Sequence, residues 1–194
     1  MSWRYFTIIS PRADDLRRAS GFTLVELVIA LLILAILVAV GVPTFSDATL
    51  GSRLGSTANN LVVSLYLARS EAIKRNTVVR VCPSTDSTTC ATSASWASGW
   101  IVMAPYAGGT SDDVIIQRQS AVSGNISVLH KNAALSSALT SAVDMPPSGI
   151  RSGGSDEAFL VCRGAPSVGR QERVVSVSAT GRPSVKRTQT GSCS

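Results

Sequence analysis

A single carboxylate, Glu26, lies near the start of a long apolar stretch. It ends the run Gly21-Phe22-Thr23-Leu24-Val25-Glu26, and no charged residue follows between Leu27 and Val42. A carboxylate in the hydrocarbon of a bilayer costs several kcal/mol, so it is normally found with a partner. Counted from Phe22, the stretch has about 20 residues, which is enough to span a membrane. The pattern predicts a membrane helix whose carboxylate pairs with another group.

The residues before this helix have the character of a targeting leader. A basic stretch with Arg17 and Arg18 precedes Gly21, an arrangement that also describes a secretory signal peptide or a simple signal anchor. A secretory signal would end in a small-x-small cleavage site, whereas this run ends in Val40-Gly41-Val42-Pro43 and continues into a helical pattern. A plain anchor gives no reason for Glu26. We therefore interpret the residues up to Gly21 as a leader with a processing site at its end, rather than as a domain.

Charge sets the expected orientation in the membrane. Basic residues exceed acidic ones before the helix: Arg4, Arg12, Arg17 and Arg18 against Asp14 and Asp15. By the positive-inside rule the leader is cytoplasmic and the carboxy-terminal domain is exported. We expect a single-pass protein of the inner membrane with its domain in the periplasm.

Four cysteines suit an oxidising compartment. Three pairings are possible; we favour Cys82–Cys90 by proximity and Cys162–Cys193 by elimination. A zinc site is the rival interpretation, but the sequence has no C-x-x-C pair and its single histidine is His130. Disulfide bonds are therefore the prediction.

No combination of residues predicts catalysis. His130 has no cysteine or serine arranged around it in the sequence, and a lone histidine is usually structural. The neighbouring pairs Asp112-Asp113 and Asp156-Glu157 lack the alternating oxygen spacing of a calcium loop. We expect a protein that is not an enzyme and has no cofactor and no metal.

The carboxy-terminal segment is basic. From Arg173 to Ser194 it contains four basic residues and no acid; they are Arg173, Arg182, Lys186 and Arg187. Gly181-Arg182-Pro183 predicts a turn that presents Arg182. Such a cluster, which Arg163 and Arg170 would extend, can follow the phosphate backbone of double-stranded DNA without reading sequence. The alternative is a solvated basic hairpin that binds nothing.

The elements that hold these residues are predicted by periodicity. One helix is expected from Phe22 to about Arg75, with a weak point at Pro43. Its second part carries an apolar stripe at alternating spacings of four and three, which suits packing on a sheet; the stripe is Leu54, Ala58, Leu61, Leu65, Ala68 and Ala72. We divide the chain into a leader (1–21), a transmembrane assembly helix (22–42), an amphipathic helix (43–75) and a periplasmic β domain with a basic tail (76–194).

After Asn76 the pattern changes to short β-like runs. The predicted strands are 78–82, 100–103, 114–118, 126–129, 159–162 and 173–177, separated by Gly, Ser, Asn and Pro clusters. Segments 84–98, 105–113 and 132–157 are expected to be loops, and Trp96 and Trp100 to pack in the core. The fold class is α+β, with a small antiparallel β domain.

The amino-terminal run resembles the class III signal of type IV prepilins. The resemblance implies that a prepilin peptidase cuts after Gly21 and methylates the new amino terminus, Phe22. It also implies that Glu26 pairs with the amino terminus of a neighbouring subunit during filament assembly.

Three further segments narrow the resemblance to the GspH/FimT pseudopilin family: residues 67–75, 81–84 and 96–102. It covers residues 12–103 well and the remainder loosely, and it implies the type IV pilin fold and a minor subunit at a filament tip in a Gram-negative bacterium. The cysteine pattern resembles the FimT-like pilus branch, whose members include DNA binders in natural transformation. The alternative is a GspH-type pseudopilin of type II secretion. FimT-like DNA binders carry Gly-Arg-x-Arg, whereas here Gly181-Arg182-Pro183 is followed by Ser184, so that only Lys186 or Arg187 can substitute for the second arginine.

Overall fold

A computed structural model of the chain describes residues 21–91, 93–105, 113–139, 142–151, 156–164, 171–189 and 193. The chain divides into two units, residues 1–44 and 45–194. The long helix α1, Leu24–Arg75, contributes residues to both. Each unit is described by itself.

The first unit contributes the apolar beginning of α1, which we call the stem (residues 24–41). Thr23 caps the helix, because its hydroxyl oxygen accepts a hydrogen bond from the backbone N–H of Glu26 at 3.2 Å. Every side chain of the stem is exposed. By length and composition alone, Leu24–Gly41 is apolar enough to cross a membrane, with a mean hydropathy of 3.0.

The second unit consists of the remainder of α1 and two antiparallel sheets. The helix ends where Asn76 adopts a left-handed backbone (φ 51°) and Thr77 N–H donates to the carbonyl of Ala72 at 3.2 Å. The strands are β1 (Val79–Pro83), β2 (Trp100–Pro105), β3 (Asp113–Gln119), β4 (Ile126–Asn132), β5 (Val143–Met145), β6 (Glu157–Arg163), β7 (Glu172–Val177) and β8 (Pro183–Thr188). The strand orders are β3-β2-β1-β5 and β4-β6-β7-β8.

One core joins the helix to both sheets. The predicted apolar stripe of α1 is fully buried, as each of its six residues exposes none of its surface. It packs with residues of the first sheet such as Val81 and Val102, and with residues of the second such as Phe159 and Val175. Removing this area from water, at about 25 cal/mol per Å², is the main stabilisation of the domain.

Trp96 and Trp100 are core residues, as predicted. Trp96 is 3% exposed and packs edge-on against Phe159, with ring centroids 4.7 Å apart. Trp100 is 1% exposed, and its indole N–H donates to the hydroxyl of Ser64 on α1 at 2.9 Å. This buried hydrogen bond ties the first sheet to the helix.

Two strands, β5 and β8, are absent from the six predicted strands, although a basic hairpin was one alternative for the segment that forms β8. The segment 132–157 was expected to be a loop, but it contains β5, which pairs with β1 and completes the edge of the first sheet. The basic segment after Gly181 is the edge strand β8, which pairs with β7 along its length. Both strands carry too few alternating apolar residues to be recognised without their partners.

Both favoured cysteine pairs are joined in the structure. Cys82 is bonded to Cys90 with Cα atoms 5.5 Å apart, and Cys162 to Cys193 with Cα atoms 5.7 Å apart. The first bond closes a short loop beside β1. The second bond ties the end of the chain to β6.

Candidate functional site

The stem carries Glu26 in the first turn of α1. The residue is exposed, and within the described part of the chain no cation lies at ion-pair distance from its carboxylate. Gly21 and Phe22 precede the helix, with Phe22 81% exposed. A charged side chain on an apolar helix thus remains available for a group outside the described chain.

The basic edge lies on the second sheet and comprises Arg182, Lys186 and Arg187. All three residues are exposed. Because side chains alternate along a strand, Lys186 and Arg187 project from opposite faces of β8. Arg182 stands before the strand, in the turn that links β7 to β8. The structure therefore brings the three residues to one sheet edge but not to one face.

The turn that presents Arg182 depends on Gly181. Its backbone is left-handed (φ 69°), and a Cβ atom there would lie 2.4 Å from the carbonyl oxygen of Gly149. The backbone N–H of Gly181 donates to the carbonyl of Ser178 at 2.8 Å. Glycine alone fits this close approach, so the predicted turn has a steric cause.

Arg187 faces a second arginine of the same basic segment. The strand register places Arg187 of β8 directly opposite Arg173 of β7. Burial, and then the neighbouring charge of Arg187, lower the pKa of the Arg173 guanidinium below its ordinary value. Only the strand register shows that Arg173 and Arg187 stand opposite each other, because fourteen positions separate them in the sequence. Arg163 lies on β6, and Arg170 lies outside the described residues.

His130 belongs to a buried polar network in the domain. Its Nε2 lies 2.9 Å from Oε2 of Glu157, and the same carboxylate pairs with Arg151. Burial raises the pKa of Glu157, but hydrogen bonds from His130 and Arg151 lower it more, and the net shift is downward. His130 also stacks on Phe159, with ring centroids 4.4 Å apart. The network accounts for His130 as a structural residue.

The pairs of carboxylates form no metal site in the described structure. Glu157 is engaged with His130 and Arg151, and Asp156 accepts a hydrogen bond from the backbone N–H of Ala179 at 2.8 Å. Asp112 lies outside the described residues. Among those that are described, no group of three or more His, Cys, Asp or Glu residues is placed to hold a metal ion.

Comparisons with known proteins connect this arrangement to filament subunits. The model of the family described as type II transport protein GspH matches residues 57–181, and that of the prokaryotic N-terminal methylation motif matches residues 16–42. No curated protein matches the sequence.

Two crystal structures of the type IV minor pilin FimU from Pseudomonas aeruginosa strain PAO1 have a similar fold. In one crystal form the TM-score is 0.54 at 18% identity, covering 74% of this chain and 96% of FimU. In the other the TM-score is 0.51 at 18% identity, covering 72% and 99%. The predicted fold, a long amino-terminal helix with antiparallel sheets, is confirmed.

Proposed function

The chain belongs to the GspH family of type IV minor pilins and pseudopilins, and we propose that it is a minor pilin of the FimT-like pilus branch. Members of this family are structural subunits, and the methylation motif implies processing by a prepilin peptidase and assembly with other pilins. We propose cleavage after Gly21, methylation at Phe22 and a periplasmic domain before incorporation near the filament tip.

The observation that carries the proposed role as a filament subunit is the exposed Glu26 in the first turn of an apolar helix. A carboxylate that enters a filament core must be neutralised there. The methylated amino terminus of a neighbouring subunit supplies the positive charge. Glu26 thereby fixes the axial position of one stem against the next.

A pair of glutamate substitutions on α1 tests this role. Glu26→Ala should reduce the chain in sheared filaments to background, as judged by immunoblot, while its amount in the membrane stays normal. Glu71→Ala is the matched control, because Glu71 lies on the same helix and pairs with Arg75 at 2.6 Å. It should be incorporated normally. Normal incorporation of Glu26→Ala would contradict the proposed role.

The family match specifically favours a second candidate, a GspH-type pseudopilin of a type II secretion system. The pilus branch is preferred here because Cys82-Pro83, Cys90 and the late Cys193 resemble its cysteine pattern. Deleting the gene separates the two. Loss of surface pili supports the pilus branch, whereas retention of exported proteins in the periplasm supports the secretion branch.

We further propose that the basic edge binds double-stranded DNA without sequence preference. Support comes from the exposure of Arg182, Lys186 and Arg187 on an edge strand and from the absence of acidic residues between Arg173 and Ser194. Fluorescence anisotropy of the full mature chain in a neutral detergent should give a log–log salt slope of about −2.7 if three phosphates are contacted. No binding at low salt would remove this part of the proposal.

A further inference from the structure

An open groove of about 630 Å³ lies within the second unit, between α1 and the edge formed by β7 and β8. Arg173 and Arg187 line it from the sheet, and Ser52, Ser56 and Asn59 line it from the helix. The groove is thus lined by groups that can donate hydrogen bonds, and two of these groups are cationic.

The two arginines stand directly opposite each other on neighbouring strands. Like charges in this position destabilise a sheet, so an anion between them would be stabilising. In the described part of the chain, no carboxylate lies within ion-pair distance of either guanidinium. Arg173 is held in place because its Nη1 donates to the backbone carbonyls of Gln171 and Glu172. Its Nη2 is directed toward Gly55.

Gly51 and Gly55 lie on the helix wall of the groove, next to these side chains. A Cβ atom at Gly51 would lie 2.5 Å from the side-chain oxygen of Gln171, and one at Gly55 would lie 3.9 Å from Nη2 of Arg173. The oxygen of Gln171 is buried without a hydrogen-bond partner in the described structure. Rotating that amide by half a turn would therefore break no hydrogen bond of its oxygen and would give the groove another donor.

We propose that this groove binds a phosphate group, held between Arg173 and Arg187 with the hydroxyl groups of Ser52 and Ser56. Phosphate matches the site because it presents several acceptor oxygens, and the planar guanidinium of arginine donates two parallel hydrogen bonds to it. The source of the phosphate is either the free ion or a phosphodiester of a nucleic-acid strand. The second source rests on the proposed DNA binding.

Adjacent positions of β8 provide a matched pair of variants. Arg187→Ala and Lys186→Ala each remove one positive charge from the same exposed strand, but the two side chains lie on opposite faces. Inorganic phosphate is titrated at constant ionic strength into the full mature chain in neutral detergent, and binding is followed by the ³¹P NMR linewidth. Arg187→Ala should weaken binding by about tenfold, and Lys186→Ala by less than about twofold. Equal effects of the two variants would overturn the site.

A second variant places a carboxylate in the groove. Ser52→Glu should abolish phosphate binding without lowering the melting temperature, because the new carboxylate competes with phosphate for the arginines and lies at an exposed helix position. Retained phosphate affinity in this variant would contradict the proposal. A melting temperature equal to that of the unsubstituted chain shows that loss of binding does not result from unfolding.

A duplex oligonucleotide, measured by anisotropy in the same variants, separates the two sources. Because Lys186 also belongs to the basic edge, both variants should weaken DNA binding, and a clearly larger loss in Arg187→Ala than in Lys186→Ala supports a phosphodiester in the groove. Phosphate binding with no DNA binding leaves the groove as a site for the free ion and removes the DNA part of the proposed function. DNA binding that is unaffected by Arg187→Ala, together with no phosphate binding, overturns the groove and leaves DNA binding to other residues.

Discussion

Leucines in one helix meet two different environments. In the stem, Leu27, Leu31 and Leu34 each expose 55% of their surface. In the domain, Leu54, Leu61 and Leu65 expose none. Residue type and secondary structure are the same, so the difference arises from what surrounds the helix. The leucines of the domain are buried in its core and stabilise the fold. Those of the stem are exposed and can contact a bilayer or the helices of neighbouring subunits.

The two regions of α1 also differ in the arrangement of their apolar residues. The stem is apolar all round, which is typical of a membrane span or of a helix buried by other helices. The later part of α1 is apolar on one stripe and polar elsewhere, which is typical of a helix that packs on one side. The stem should therefore contribute almost nothing to the stability of the isolated domain.

The largest expected effect on the free energy of unfolding comes from replacing a leucine by alanine, and it should differ between the two regions. Leu61→Ala should lower the free energy of unfolding by about 2–5 kcal/mol, because it leaves a cavity in a fully packed core. Leu31→Ala should change it by less than about 0.5 kcal/mol. Tryptophan fluorescence during denaturation in detergent measures this, since Trp96 and Trp100 both lie in the domain. A similar loss in both variants would break the distinction between the regions.

The disulfide bonds give the next largest effect, and they too lie only in the domain. Replacing Cys162 and Cys193 by serine removes a disulfide bond between residues 31 positions apart. This change should lower the free energy of unfolding by about 3.7 kcal/mol. Removing the disulfide bond between Cys82 and Cys90, which are 8 positions apart, should lower the free energy of unfolding by about 2.5 kcal/mol. Denaturation midpoints of the two double variants test the order. The far-ultraviolet signal of the stem in detergent should survive both changes, and its loss would show that the regions are coupled.

The smallest effect is the pH dependence that Glu157 confers on the domain. Its pKa is lower in the folded chain than the ordinary 4.5, so its stabilisation is present above that value and is lost as the pH falls through the lowered pKa. Glu157→Gln should reduce stability at neutral pH by about 1–3 kcal/mol. Glu157→Gln should also make the free energy of unfolding depend less steeply on pH in the acid range. If the stability of this variant fell with acid pH as steeply as that of the unsubstituted chain, groups other than Glu157 would cause the pH dependence.

Much of this architecture follows from local patterns. The helix stripe repeats at a period of 3.6 and strand β4 at a period of 2, whereas β2 and β6 were recognised as short continuous apolar runs. β5 has only three residues, and β8 exposes most of its side chains, so neither carries a readable period. Their conformation depends on pairing with β1 and β7, and pairing between distant segments has no local signal.

The candidate site likewise has some features that are visible in the local sequence and others that depend on contacts between distant segments. The apolar stem, Glu26, the methylation motif and the basic character of the last segment can all be recognised in the amino-acid sequence, because each depends on neighbouring residues. The folded structure was needed to show that Lys186 and Arg187 lie on opposite faces, and that Arg173 stands opposite Arg187 beside the glycines of α1. Those relations depend on strand register and on helix packing, which bring together residues that are far apart in the chain.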